Sequence, residues 1–150
     1  MGLSLHLFRI SEYAEEALKS YTKLLEREGK LTKEETEELL KIRDDLFYRL
    51  GPDIAYWYRD YALNTFFTSH GKEISKDEFY LVTREDLKNL VLKCTQALVI
   101  KDPKYSEELF PGDTFYDQSF FYDELVHTTT KINTVLAEYK DENFLYFVSW

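Results

Sequence analysis

The spacing of apolar and polar positions changes several times along this chain, and each change predicts an element. Leu3, Leu5 and Leu7 alternate with Ser4, His6 and Phe8, the two-residue period of a strand with one buried face. From Ser11, an N-cap residue, Ala14, Ala17, Leu18, Tyr21, Leu24 and Leu25 recur at helical spacing until Gly29, which can take the left-handed conformation that ends a helix. Thr32 followed by Glu35 forms a capping-box pattern, and Leu39, Ile42, Leu46 and Leu50 make one apolar stripe that stops before Gly51 and Pro52. A third helix is expected over residues 52–68. Pro52 suits its first turn and Asp53 its positively polarised end. On a helical wheel nearly all of IAYWYRDYALNTFF (54–67) is apolar, so this helix should be the most buried. Trp57 is the exception: it falls on the polar strip with Asp53, Asp60, Asn64 and Thr68, which makes it a candidate for outside contact, including self-association.

Residues 69–78 read as a loop or short hairpin, and FYLV (79–82) as a further strand. Thr83 and Asp86 pattern as a second capping box, followed by the stripe Leu87, Leu90, Val91, Cys94 and Leu98. Residues 101–118 hold two prolines and read as an ordered loop with one turn of helix at Tyr105–Phe110. In the last helix Phe121, Leu125, Thr128, Ile132, Val135 and Tyr139 trace one face, while Asp123, His127, Lys131, Thr134 and Glu138 trace another. NFLYFVSW (143–150) closes the pattern as a strand. Together these elements predict an α+β fold in one globular domain over 1–150, with a sheet of about three strands, the first and last paired, packed on about five helices.

Composition narrows the chemistry. Aromatic residues at 17% imply large side chains in the core, and 44% hydrophobic against 31% charged residues rules out a disordered composition. Cys94 is the one cysteine, so neither an intrachain disulfide nor a thiolate metal cluster can form, and on its apolar stripe it reads as a small hydrophobe. The opening MGLSLHLFRI is interrupted by Ser4, His6 and Arg9 and lacks the apolar length of a signal peptide or membrane span. The expectation is a soluble, cytoplasmic protein.

The net charge of −9 is unevenly placed, because residues 101–150 carry four basic and ten acidic side chains. Such a field repels phosphate, so direct nucleic-acid binding is disfavoured while a basic protein partner is favoured. Between 105 and 124, aromatic residues alternate with carboxylates. Tyr105, Asp113, Phe115, Tyr116, Asp117, Asp123 and Glu124, with Trp57, are the candidate partner-binding residues. Rings supply contact area there and charges steer the encounter. In the bland reading of the same segment the rings cover the sheet and only the carboxylates meet water.

Catalytic signatures are absent. No glycine-rich phosphate loop, nucleophile turn, His-x-x-x-His or Cys-x-x-Cys spacing occurs, so no catalytic residue, metal ligand or cofactor is assigned. The alternative retained is a small metal-dependent hydrolase using His6, Asp123 and His127, since Asp123 and His127 lie one helical turn apart.

In order, GLSLHL (2–7), DIAYWYRDYALNTFFT (53–68), FYLVTREDLKNLVLKC (79–94), TFYDQSFFYDELVHTTTKINTVL (114–136) and FLYFVSW (144–150) resemble an uncharacterised family of small phage and prophage proteins. Tyr56-Trp57 and Ser149-Trp150 carry the most specific part of that likeness. The family's central-helix asparagine and histidine fall here on Tyr61 and Asn64, and its early aspartate on Ser4, so any titratable site at those positions is lost in this chain. The resemblance implies a phage or mobile-element accessory protein without naming a reaction. The sequence reading is thus a non-enzymatic protein that binds a host or phage protein through an acidic, aromatic surface, one version being mimicry of nucleic-acid charge toward a basic nucleic-acid-binding protein.

Overall fold

A computed structural model describes residues 4–27, 29–58, 63, 64, 66, 79–110 and 118–149. Strand β1 (Ser4–Arg9) leads through a short 3-10 turn (Glu12–Ala14) into α1 (Glu15–Leu25) and α2 (Lys33–Leu50). Strands β2 (Ala55–Tyr58) and β3 (Phe79–Thr83) follow, then α3 (Arg84–Ile100), α4 (Pro103–Leu109), α5 (Gln118–Glu138) and β4 (Asn143–Ser149). The fold is α+β, and the sheet has four strands among the described residues, one more than the sequence patterns gave. Their order is β2-β1-β4-β3, with every neighbouring pair antiparallel. The expected pairing of the first and last strands holds, with His6 opposite Phe147 and Leu5 opposite Val148.

Each face of the sheet is covered by helices. Leu5, Leu7, Ala55, Trp57, Val82, Phe144, Tyr146 and Val148 face α3 and α5, where Leu87, Leu90, Cys94, Leu125, Ile132 and Val135 complete one core. Phe8, Phe79, Leu145 and Phe147 face the other way, against Tyr21 of α1 and Leu46 and Leu50 of α2. Covering on both sides explains why β4 is buried without interruption from Phe144 to Val148 and why its sequence shows no alternation.

Both capping boxes form. Thr32 Oγ1 accepts the Glu35 N–H while Glu35 accepts the Thr32 N–H, and Thr83 and Asp86 exchange the same pair of bonds at 3.0 and 2.9 Å. Each satisfies two of the amide donors that a helix start leaves open. Ser11 does not cap by its side chain; its hydroxyl donates to the Arg49 carbonyl at 2.9 Å, tying the chain after β1 to the end of α2. At the other end of α5, Arg84 donates to the carbonyls of Leu136 (2.6 Å) and Tyr139 (2.7 Å).

The expectation of one helix over 52–68 is corrected by β2. Ala55 and Trp57 are buried and Tyr56 and Tyr58 exposed, a period of two. A helical wheel has no defined phase in a run apolar at nearly every position, and aromatic residues suit a strand. Helix does occur further along at Leu63, Asn64 and Phe66, with Leu63 and Phe66 buried. The correction moves Trp57, which is only 3% exposed and sits in the sheet–α5 core instead of on a polar strip. A direct self-association surface on its ring is therefore ruled out. Residues 101–110 also hold more helix than the single turn expected, because α4 runs from Pro103 to Leu109. No helix among the described residues is long and apolar enough to cross a membrane.

Candidate partner-binding groove

Among the described residues, strand β2 lies at one end of the sheet and pairs with β1. Helix α5 packs on the sheet face that carries Ala55 and Trp57, with Leu125, Ile132 and Val135 in the core, and its Asp123, His127 and Lys131 border the strand. Between them lies a groove in two sections. One, of about 480 Å³, is bordered by Tyr56, Trp57 and Tyr58 and by Asp123, Glu124, His127 and Lys131. The other, of about 380 Å³, continues along Asp53, Ile54, Ala55 and Tyr56 against Thr130, Thr134, Glu138 and Tyr139. The two share Tyr56 and Lys131.

Lys131 crosses the middle of the groove. Its ammonium donates to the Tyr56 carbonyl and lies 5.3 Å from the centre of the Trp57 ring, a cation–π position. The indole N–H of that buried Trp57 has no hydrogen-bond acceptor among the described residues. At the far end Arg9 braces Tyr139: its guanidinium lies 4.8 Å over the ring and is bonded to Asp141 at 2.6 Å. The hydrogen bond that Arg9 donates to Asp141 raises its pKa above the ordinary value.

The groove's charges are acidic overall. Among the described residues, the carboxylates of Asp53, Asp123, Glu124 and Glu138 border it against the ammonium of Lys131. Asp53 accepts from His6 Nδ1 at 2.8 Å; no ion pair to Asp123 or Glu138 occurs among the described residues. The clefts between α1 and α2 differ in this respect, because Arg27 pairs with Glu35 and Arg49 with Asp45.

Of the residues the sequence singled out, Asp123 and Glu124 border this groove, and Trp57 borders it as a buried wall. Tyr105 is half-buried on α4, away from that border. Asp113, Phe115, Tyr116 and Asp117 lie outside the described residues. The proposed trio of His6, Asp123 and His127 is not brought together: His6 alternates with Leu5 and Leu7 and so projects from the α1–α2 face, where its ring lies 5.0 Å from that of Tyr56, whereas α5 covers the opposite face. No group of three or more His, Cys, Asp or Glu among the described residues is arranged to hold a metal ion.

The residues missed by sequence reasoning are Tyr56 and Tyr58 as strand residues bordering the groove and Asp53 as a groove carboxylate. The sequence AYWY is apolar or aromatic at every position, so it carries no alternation that would have separated strand from helix. No protein-family model, curated protein or solved structure matches this chain, so the functional reading rests on this geometry and on the sequence.

Proposed function

We propose that this chain is a non-enzymatic accessory protein, of the phage or prophage kind its sequence resembles, that binds a basic protein partner through the β2–α5 groove and the acidic segment leading into α5. One observation carries the proposal: an elongated groove bordered by four carboxylates and one ammonium, with aromatic residues along its strand side. Basic side chains entering it would meet carboxylates in a partly desolvated setting, where charge-assisted hydrogen bonds are stronger than on open surface. Asp113 and Asp117 precede α5 in sequence and add to the negative charge of this part of the chain. In the sharper version, these spaced carboxylates stand in for the phosphates of a nucleic acid on a basic nucleic-acid-binding protein.

The test compares two charge-reversal variants. One replaces Asp113, Asp117, Asp123 and Glu124 by lysine; the control replaces Glu16, Glu37, Glu38 and Asp45, near the α1–α2 clefts. Each variant is assayed for binding to a panel of purified basic proteins and to an acidic protein of equal size at low and moderate salt. The proposal requires that the wild type bind a basic partner, that the first variant lose it and that the control keep it. Equal loss in both variants would show that bulk charge acts alone and would overturn the assignment to this surface.

A further inference from the structure

We infer that the outward face of α3 is a self-association surface, and that its occupant is a second copy of this chain docked with the two α3 helices antiparallel. Helix α3 sends Leu87, Leu90, Cys94 and Ala97 into the core. On its other side Glu85, Lys88, Leu92, Thr95 and Val99 recur at steps of three and four, the spacing of a helix–helix seam, and all five are exposed. Leu92 keeps 55% of its surface accessible and Val99 76%. Thr95 belongs to this apolar centre, because its hydroxyl donates to the Val91 carbonyl at 2.8 Å and is satisfied within its own helix, which leaves its methyl group for outside contact.

Helix α5 widens the apolar centre. Arg84, at the start of α3, donates to the carbonyls of Leu136 and Tyr139 at the end of α5, and Ser106, in the helix that follows α3, bonds to Tyr122 near the start of α5. The two helices therefore run antiparallel. Leu92 lies eight residues after Arg84 and Val126 ten before Leu136, so both stand about 12–15 Å from that anchor at helical rise. Val126 is 52% exposed, and the Thr130 hydroxyl is also bonded within its helix, to the Val126 carbonyl at 3.0 Å. Charge selects the occupant. The seam begins at Glu85, and the exposed Lys101 and Lys104 follow its far end. Two α3 helices crossing antiparallel near Thr95 set Leu92 of each copy against Val99 of the other, and bring each Glu85 within about a turn of the other copy's Lys101 and Lys104; a parallel arrangement sets acid on acid. A two-fold contact uses one patch twice, so a face with an acidic end, an apolar centre and a basic end is complementary to itself.

The experiment is sedimentation equilibrium of the full chain from about 10 μM to about 1 mM, the range of a small, reversible interface. The wild type should pass from monomer to dimer within it. Leu92→Glu and Val99→Glu, both at exposed positions that leave the core intact, should each weaken the dimer at least about tenfold, whereas Tyr48→Glu on α2, where the side chain is 88% exposed, should not. Glu85→Lys should weaken it about threefold or more, and adding Lys101→Glu and Lys104→Glu to that variant should restore it. Thr95→Cys, near the crossing point, should form a disulfide-linked dimer on mild oxidation, while the wild type, whose Cys94 is buried, should not. Circular dichroism and the thermal midpoint of each variant at low concentration check that the fold is kept.

A wild type that stays monomeric to about 1 mM overturns the proposal. So does a dimer that Leu92→Glu and Val99→Glu leave unchanged, since it then rests on another surface. If those two variants weaken the dimer but the charge exchange fails to restore it and Thr95→Cys does not cross-link, the antiparallel docking is overturned. Binding of a basic partner is a separate property: Leu92 does not border the β2–α5 groove, so Leu92→Glu should bind such a partner as the wild type does.

Discussion

Replacing Arg84 by methionine keeps most of its aliphatic length and removes the fork that holds the end of α5. In the wild type its two terminal nitrogens donate to the carbonyls of Leu136 and Tyr139 at 2.6 and 2.7 Å, in a half-buried setting. These belong to the carbonyls that a helix C-terminus leaves without an intrahelical partner. A hydrogen bond involving a charged group contributes roughly 1.5–3 kcal/mol. Partial exposure lets water replace some of it, so the pair together should contribute about 3 kcal/mol. The Arg84 backbone N–H also donates to the Glu142 carbonyl at 2.7 Å, and any substitution but proline retains that bond.

Urea unfolding of Arg84→Met should therefore show a lower midpoint at unchanged slope, and the thermal midpoint should fall by roughly 6–12 °C for a chain of this size. Arg84→Lys should recover about half, since an ammonium cannot reach both carbonyls in the planar geometry of the fork. Native-state amide exchange should localise the loss to the last turn of α5 and the start of β4. A midpoint shift equivalent to less than about 0.5 kcal/mol, the scale of an ordinary surface substitution, with exchange unchanged there, would refute the claim that this contact fixes the groove's helical wall.

Other expectations follow from contacts that join separate elements. Tyr21→Phe removes the hydroxyl that accepts the buried Phe79 N–H at 3.1 Å and should destabilise the fold by about 1–3 kcal/mol by leaving that donor unmatched, as read by urea unfolding. Thr83→Ala removes half of a capping box and should lower stability by about 1 kcal/mol in the same assay, with Thr83→Ser restoring most of it. Trp57→Phe loses ring volume but also a buried indole donor that has no acceptor among the described residues; these effects oppose, so the net change should stay under about 1.5 kcal/mol, smaller than for other buried aromatic truncations.

Most of the scaffold was legible because its elements carry unambiguous periods. β1 shows clean alternation, α2 and α3 have stripes led by capping boxes, and α5 separates into a buried face and the Asp123–His127–Lys131 face that lines the groove. The strand side of the groove was not legible. Pro52 and Asp53 look like a helix start, yet Gly51 takes a positive φ of 75° and Asp53 instead accepts from His6 across 47 positions of sequence, a partnership no local pattern discloses. Trp57 illustrates the same point: it is polar-facing under a 100° step and core-facing under a 180° step, and only the pairing of Leu5 with Trp57 decides between them.

The pairing of β1 with β4 also has a consequence for biosynthesis. Leu5 and Val148 are register partners, so the central ladder cannot close until almost all of the residues between them have left the ribosome, roughly 7–30 seconds at ~5–20 residues per second. During that interval β1 has no central neighbour, and the nascent chain must keep the aromatic stretch after Pro52 from pairing elsewhere. Late ladder closure of this kind makes expression temperature a sensitive control on the yield of folded protein.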